Sequence, residues 1–163
     1  MSHAIVLALK STWLSQQMTT QPWLWAICET LHFIGLALLI GAAGFFDLRL
    51  MGFMRRIPVA TVLPVRRWAA AGVIINLVTG TMFFVGAPDQ YIKNPAWWGK
   101  VAFLVIAMLN IAFFETRLGA RLLSIEDGQD TPVSFKVAGA ISIVSWFMVL
   151  YFGRMLPFIG NAF

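Results

Sequence analysis

Hydrophobic positions in this chain neither alternate nor fall into short amphipathic stripes. They form four long runs, at about residues 23–46, 68–86, 96–114 and 135–156, and the basic residues gather in the short stretches between them. Each run is close to the roughly 20 residues that a bilayer-spanning helix requires. Prolines punctuate the runs without interrupting them. Pro22 stands at the first helix start, where its missing amide hydrogen costs nothing; Pro88 and Pro95 bracket the second connection, and Pro132 precedes the fourth run. Residues 1–21 are too short in apolar content to span, and without a basic lead or a small-residue cleavage site they do not read as a signal peptide. Ile5, Leu9 and Trp13 share a helical face while Lys10, Ser11, Gln16 and Gln17 are polar, which predicts a short helix lying in the membrane interface. The expectation is an all-α protein. It is a single membrane domain, residues 1–163, built as an integral membrane antiparallel four-helix bundle with an N-terminal interfacial helix.

Composition agrees with this picture. Hydrophobic residues make up 60% of the chain and charged ones 12%, far from the soluble balance of about a quarter charged. The net charge of +5 does not point to nucleic acid, because its basic residues flank apolar runs as topology signals do. Arg49, Arg55, Arg56, Arg66, Arg67, Arg117, Arg121 and Lys136 fall on one side, against Lys10 and Lys93 on the other. This asymmetry predicts a multi-pass protein with both basic connections in the cytoplasm and both termini outside, periplasmic in a bacterium; acidic Glu126, Asp127 and Asp130 weigh little. Trp23, Trp25, Tyr91, Trp97, Trp98 and Tyr151 form an aromatic belt at the outer interface. The single cysteine, Cys28, allows no disulfide within the chain.

Candidate chemistry sits in the first run. Glu29 and His32 lie one turn apart, about 9 and 13 Å below Trp23 at 1.5 Å per residue, and ionisable groups in hydrocarbon are functional candidates by default. Lys100 and Arg154 reach similar levels from the third and fourth runs. These four residues form one candidate cluster, which suits a haem b pocket: His32 is the axial ligand, and Lys100 and Arg154 face the propionates. A second axial ligand is scarce, since the other imidazole is His3 and the remaining choices are Met82, Met148 and Met155. The plainer alternative has Glu29 and His32 satisfying each other. A single copper or zinc ion on Glu29, His32 and a partner's ligand is a further option, whereas a di-iron site lacks its second carboxylate set. Glu29 and Asp47, five turns apart, share a face with His32 some 60° away, which admits a water-assisted proton route. Asp47 with Arg49 and Glu115 with Arg117 read as boundary salt bridges, and Asn76 and Asn110 as a hydrogen-bonded pair between helices. Gly72, Gly80, Gly139 and Ala140 are the small residues expected at close helix crossings. No nucleophile and base share a level except weak combinations such as Ser142 and Ser145, so neither hydrolase nor transferase is indicated.

Glu29-Thr30-Leu31-His32-Phe33-Ile34-Gly35 and Phe46-Asp47-Leu48-Arg49-Leu50-Met51-Gly52, with Tyr91-Ile92-Lys93-Asn94-Pro95, Lys100 and Leu109-Asn110, resemble an uncharacterised bacterial family of small four-helix inner-membrane proteins, a domain of unknown function. Relatives often carry histidine where this chain has Glu115. The arrangement is loosely similar to copper-resistance membrane proteins and cytochrome b561-type bundles, a likeness of fold that supplies no function. Two function classes follow. One is an electron-transfer or anchor subunit with haem b at His32 and a periplasmic redox partner. The other is a cofactor-free scaffold in a larger membrane complex, or a permease for a small solute or ion such as copper or a proton. Small residues between helices would also permit a homodimer.

Overall fold

The structure is a computed structural model that describes residues 3–125 and 128–159. Glu126 and Asp127 lie outside the described residues. Four long helices dominate: α3 (Pro22–Leu50), α5 (Arg66–Gly86), α7 (Pro95–Phe113) and α8 (Val133–Met155). They cover the four predicted spans, and α3 continues past Phe46 by a full turn. Short helices precede and join them: α1 (His3–Lys10), α2 (Trp13–Thr20), α4 (Val59–Val62) and α6 (Pro88–Ile92). After α7 the chain widens into a π-helical turn at Phe114–Leu118 and then tightens into 3₁₀ turns at Gly119–Ser124.

The N-terminal segment is two helices rather than one. Ser11 and Thr12 donate their hydroxyls to the carbonyls of Ala8 and Leu9, and Thr12 Oγ1 accepts the amide of Ser15 at 3.3 Å, so one helix ends and another is capped within two residues. Met18 of α2 is buried against Gly86 at the end of α5, while Lys10 of α1 pairs with Asp89 of α6. Trp13 remains 72% exposed, as suits an aromatic ring lying in an interface.

Helix α3 is the central post, packed against α5 on one side and α8 on the other, with α7 laid on α8. Close approach is set by glycine at two crossings. A Cβ on Gly72 of α5 would stand 2.6 Å from the Gly35 carbonyl oxygen of α3, and one on Gly139 of α8 would stand 2.9 Å from the Asp47 carbonyl oxygen. Gly80 is different, since a Cβ there would meet its nearest neighbour, His32 Cε1, at an ordinary 3.8 Å. The expected Asn76–Asn110 bond does not form. Asn76 donates to Gly72 O within its own helix at 2.8 Å, and Asn110 donates across to Ala138 O at 3.0 Å; each amide has found a nearer carbonyl.

Helices α5 and α7 meet through large side chains. At the tryptophan-rich end, Phe84 stacks on Trp97 with centroids 5.1 Å apart. At the opposite, basic end the two longer connections fold over the bundle, burying Leu50, Val59, Val62, Phe114, Leu122 and Phe135 as one apolar cap. The outward faces tell which solvent surrounds the bundle. Leu109, Phe33 and Ile74 are 65%, 62% and 62% exposed, in helices each long and apolar enough to cross a bilayer. Such contiguous apolar surface is intolerable in water and natural in lipid. The protein is a multi-pass membrane protein.

Candidate functional site

Two groups of polar side chains occupy the interior, one in each half of the bundle. In the half nearer the tryptophan-rich end, α3 and α5 run antiparallel and meet rung by rung. Cys28 Sγ lies 3.6 Å from Met82 Sδ, and one turn further His32 Nδ1 lies 2.7 Å from Thr79 Oγ1. Thr79 has a single hydroxyl hydrogen and donates it to Ile75 O at 2.7 Å. The contact with His32 must therefore run the other way, with His32 Nδ1–H donating to Thr79 Oγ1. This assigns the tautomer and leaves the lone pair on Nε2. The His32 ring also sits edge-on to Phe83 at 5.6 Å.

The four residues grouped by depth are only partly brought together. Lys100 of α7 lies against Gly153 of α8 and near enough to His32 for its charge to act on the imidazole. Glu29 is on the exposed face of α3 and is not seen bonded to His32, whose polar partner is Thr79. Its charge is felt instead at Tyr91 in α6, where burial first and the Glu29 carboxylate second push the phenol up to about 12. Arg154 is exposed, with its guanidinium stacked 5.4 Å over Phe158. One imidazole with a free nitrogen is thus present at this level. Met82 lies against Cys28, and Thr79 and Phe83 pack around the His32 ring. The side chain of His3 lies outside the described residues.

The second group lies toward the basic end, where the sequence suggests boundary salt bridges and, through Asp47 with Glu29, a water-assisted proton route. Asp47 is 5% exposed and does not pair with Arg49. Ser142 of α8 stands beside its carboxylate at the same cavity wall, while Oδ2 is buried with no partner among the described residues. Asp47, Ser142, Asn110 and Trp146 line a cavity of about 190 Å³ to which all four long helices contribute. At its basic end stands an ion pair between Arg66, the first residue of α5, and Glu115 in the π-helical turn. Glu115 therefore partners Arg66 and not Arg117. Arg49 is 1% exposed and serves the cap: Nε donates to Ile57 O at 2.7 Å and Nη1 to Thr131 Oγ1 at 3.2 Å. Depth counting along single helices has no means of finding Thr79, or of pairing Met82 with Cys28 and Ser142 with Asp47, since each is defined by what faces it.

Together the fold and these interior polar groups define a four-helix integral membrane protein with titratable side chains in both halves of its core. The chain belongs to a family of unknown function (DUF6644), which it matches over residues 13–159. No curated protein and no solved structure matches it.

Proposed function

We propose that this chain is a small permease of the bacterial inner membrane whose Asp47 cavity takes up protons, with the basic end in the cytoplasm and both termini periplasmic. One observation carries the reading: a carboxylate oxygen without a partner among the described residues, buried at a cavity wall in a membrane bundle. Burying a polar atom unpaired costs about 1–3 kcal/mol, and a cost of that kind in a membrane core is usually tied to use. The cavity has room for several waters, which would satisfy Oδ2 and carry a proton to and from it. Ser142 orients the carboxylate, and the Arg66–Glu115 pair stands between the cavity and the basic end. The lysine- and arginine-rich connections supply the orientation. No second ligand group is needed for this role, in contrast to haem-based electron transfer with a periplasmic partner.

The test is proton entry into proteoliposomes carrying a trapped pH-sensitive dye, driven by a potassium diffusion potential. Wild-type protein is expected to acidify the lumen faster than protein-free vesicles, and Asp47→Asn to abolish the difference. Equal rates for wild type and Asp47→Asn, or a wild type as tight as empty vesicles, would overturn the proposal and leave a scaffold in a larger membrane complex as the reading.

A further inference from the structure

The facing rungs of α3 and α5 hold a donor set that the proton route does not use. Cys28 is 2% exposed and Thr79 is likewise 2% exposed, while Met82 and His32 beside them are partly buried. Along this seam stand a thiol and a thioether 3.6 Å apart. One turn on is an imidazole whose Nδ1–H is fixed by Thr79 and whose Nε2 has no hydrogen-bond partner among the described residues. Cys28 and His32 are spaced i and i+4, the separation at which side chains of one helix are neighbours. Met82 and Thr79, three apart on α5, face them in the antiparallel order that brings both pairs to the same face.

The geometry points to a binding site for a single Cu(I) ion formed by Cys28 Sγ, Met82 Sδ and His32 Nε2. Three features select that ion. Thiolate and thioether are soft ligands that favour Cu(I), and the set contains no oxygen donor of the kind that hard divalent cations require. Three protein donors fall short of the closed four-ligand shell of a structural zinc site. Binding also adds no net charge, because a monovalent ion takes the place of the thiol proton. On binding, the Cys28 thiol gives its proton to solvent and the copper remains Cu(I), so no electron is transferred. Thr79 holds the imidazole from the other side, as partners of metal-bound histidines do, and is a positioning residue. The site lies near the tryptophan-rich end, about two turns inside Pro22, which gives an ion access from that interface.

This assignment is independent of the Asp47 cavity. Its test is an anaerobic titration of the purified protein in mild detergent against Cu(I) buffered by bicinchoninate, followed by X-ray absorption at the copper edge. Wild type is expected to withdraw one equivalent of copper from the chelator, with sulfur in the first coordination shell. Cys28→Ser and Met82→Leu, both close in volume to the native residues, are expected to lose that equivalent while keeping the wild-type melting temperature without copper. Thr79→Val is expected to weaken binding about 10- to 100-fold, the range for removing a partner of a metal-bound histidine. Failure of wild type to compete with bicinchoninate would overturn the site, as would unchanged copper affinity in both sulfur variants or a copper shell lacking sulfur. Proton entry in the Cys28→Ser protein is expected to match wild type, so loss of copper binding and failure of the Asp47 reading are separately visible.

Discussion

Arg66 and Glu115 join the start of α5 to the π-helical turn beyond α7, and the Arg66 guanidinium lies 5.3 Å from the ring centroid of Phe46 and 5.6 Å from that of Phe114. The pair sits at the basic end of the Asp47 cavity, between the two helices that approach each other through side chains. A partly exposed ion pair contributes about 0–1 kcal/mol, so Glu115→Gln is expected to leave the bundle folded while freeing Arg66 to swing outward. Access to the cavity is the readout. In a Cys28→Ser background carrying Ala138→Cys on the cavity wall, a charged methanethiosulfonate reagent should label faster when Glu115→Gln is added. An unchanged rate would show that the pair does not close the cavity.

Gly72 packs directly against the backbone of α3, with Gly35 O and Leu39 N both 2.6 Å from where a Cβ would stand. Both neighbours are backbone atoms of α3, so they yield only if the helices part. Gly72→Ala is expected to destabilise the protein by about 1–3 kcal/mol, the usual cost of overpacking. Gly80→Ala, against a 3.8 Å neighbour, is expected to be far milder. Thermal unfolding of the two variants side by side in detergent checks the contrast.

The difference between Gly72 and Gly80 also shows what the sequence could and could not disclose. Both are small residues in the same apolar run, and the run itself, with its flanking prolines and arginines, was enough to read four spanning helices and which ends lie together. A run apolar on all sides does not show which face meets a neighbour, because lipid and core place the same demand on it. The rotation of each helix therefore stayed hidden, and with it the pairing of His32 to Thr79, Cys28 to Met82 and Asp47 to Ser142. Asp47 and Arg49 looked like one boundary pair because they are two residues apart. In an α-helix that spacing turns side chains away from each other. The structure sends Asp47 into the cavity and Arg49 into the cap.

Arg49 holds that cap through the Ile57 carbonyl and the Thr131 hydroxyl, one from each basic connection. Arg49→Met keeps most of the side-chain volume but leaves both acceptors without their donor. A buried polar group so deprived costs about 1–3 kcal/mol. The expected result is a lower melting temperature together with faster tryptic cleavage at Arg55 and Arg56 in the first connection. Cleavage as slow as in wild type would show that apolar packing alone keeps the cap closed.

Asp130 clasps the same region from outside, accepting Lys136 Nζ at 2.7 Å and pairing with Arg55 at 3.2 Å. The Lys136 hydrogen bond, with help from Arg55 and the Thr131 amide, holds its carboxyl below the usual carboxylate range. A carboxyl whose pKa is depressed on folding contributes stability above its unfolded value, near 3.9, and loses it as pH falls through the folded value. Between pH 7 and 5 the melting temperature should be flat with respect to this group, then decline below about pH 4. Asp130→Asn is expected to be less stable than wild type at neutral pH and to converge with it in acid. Parallel curves for the two proteins across the whole range would remove the clasp from the account.

The last expectation concerns colour. His32 offers one ring nitrogen, Met82 faces Cys28, and the cavity beside Asp47, about 190 Å³, lies in the other half of the bundle. That volume is below the roughly 300–1,000 Å³ of pockets that hold drug-sized ligands, and Thr79 and Phe83 occupy the space beside His32. Protein purified from haem-replete cells is therefore expected to show no Soret band, oxidised or reduced with dithionite. A Soret band that disappears in His32→Ala would place haem b on Nε2 and remove that nitrogen from the proposed copper set. It would also make electron transfer the leading function, with the second axial ligand sought in another copy of the chain. Should the band survive in His32→Ala, the haem would be bound elsewhere, and the Cys28–Met82 seam would remain open to copper.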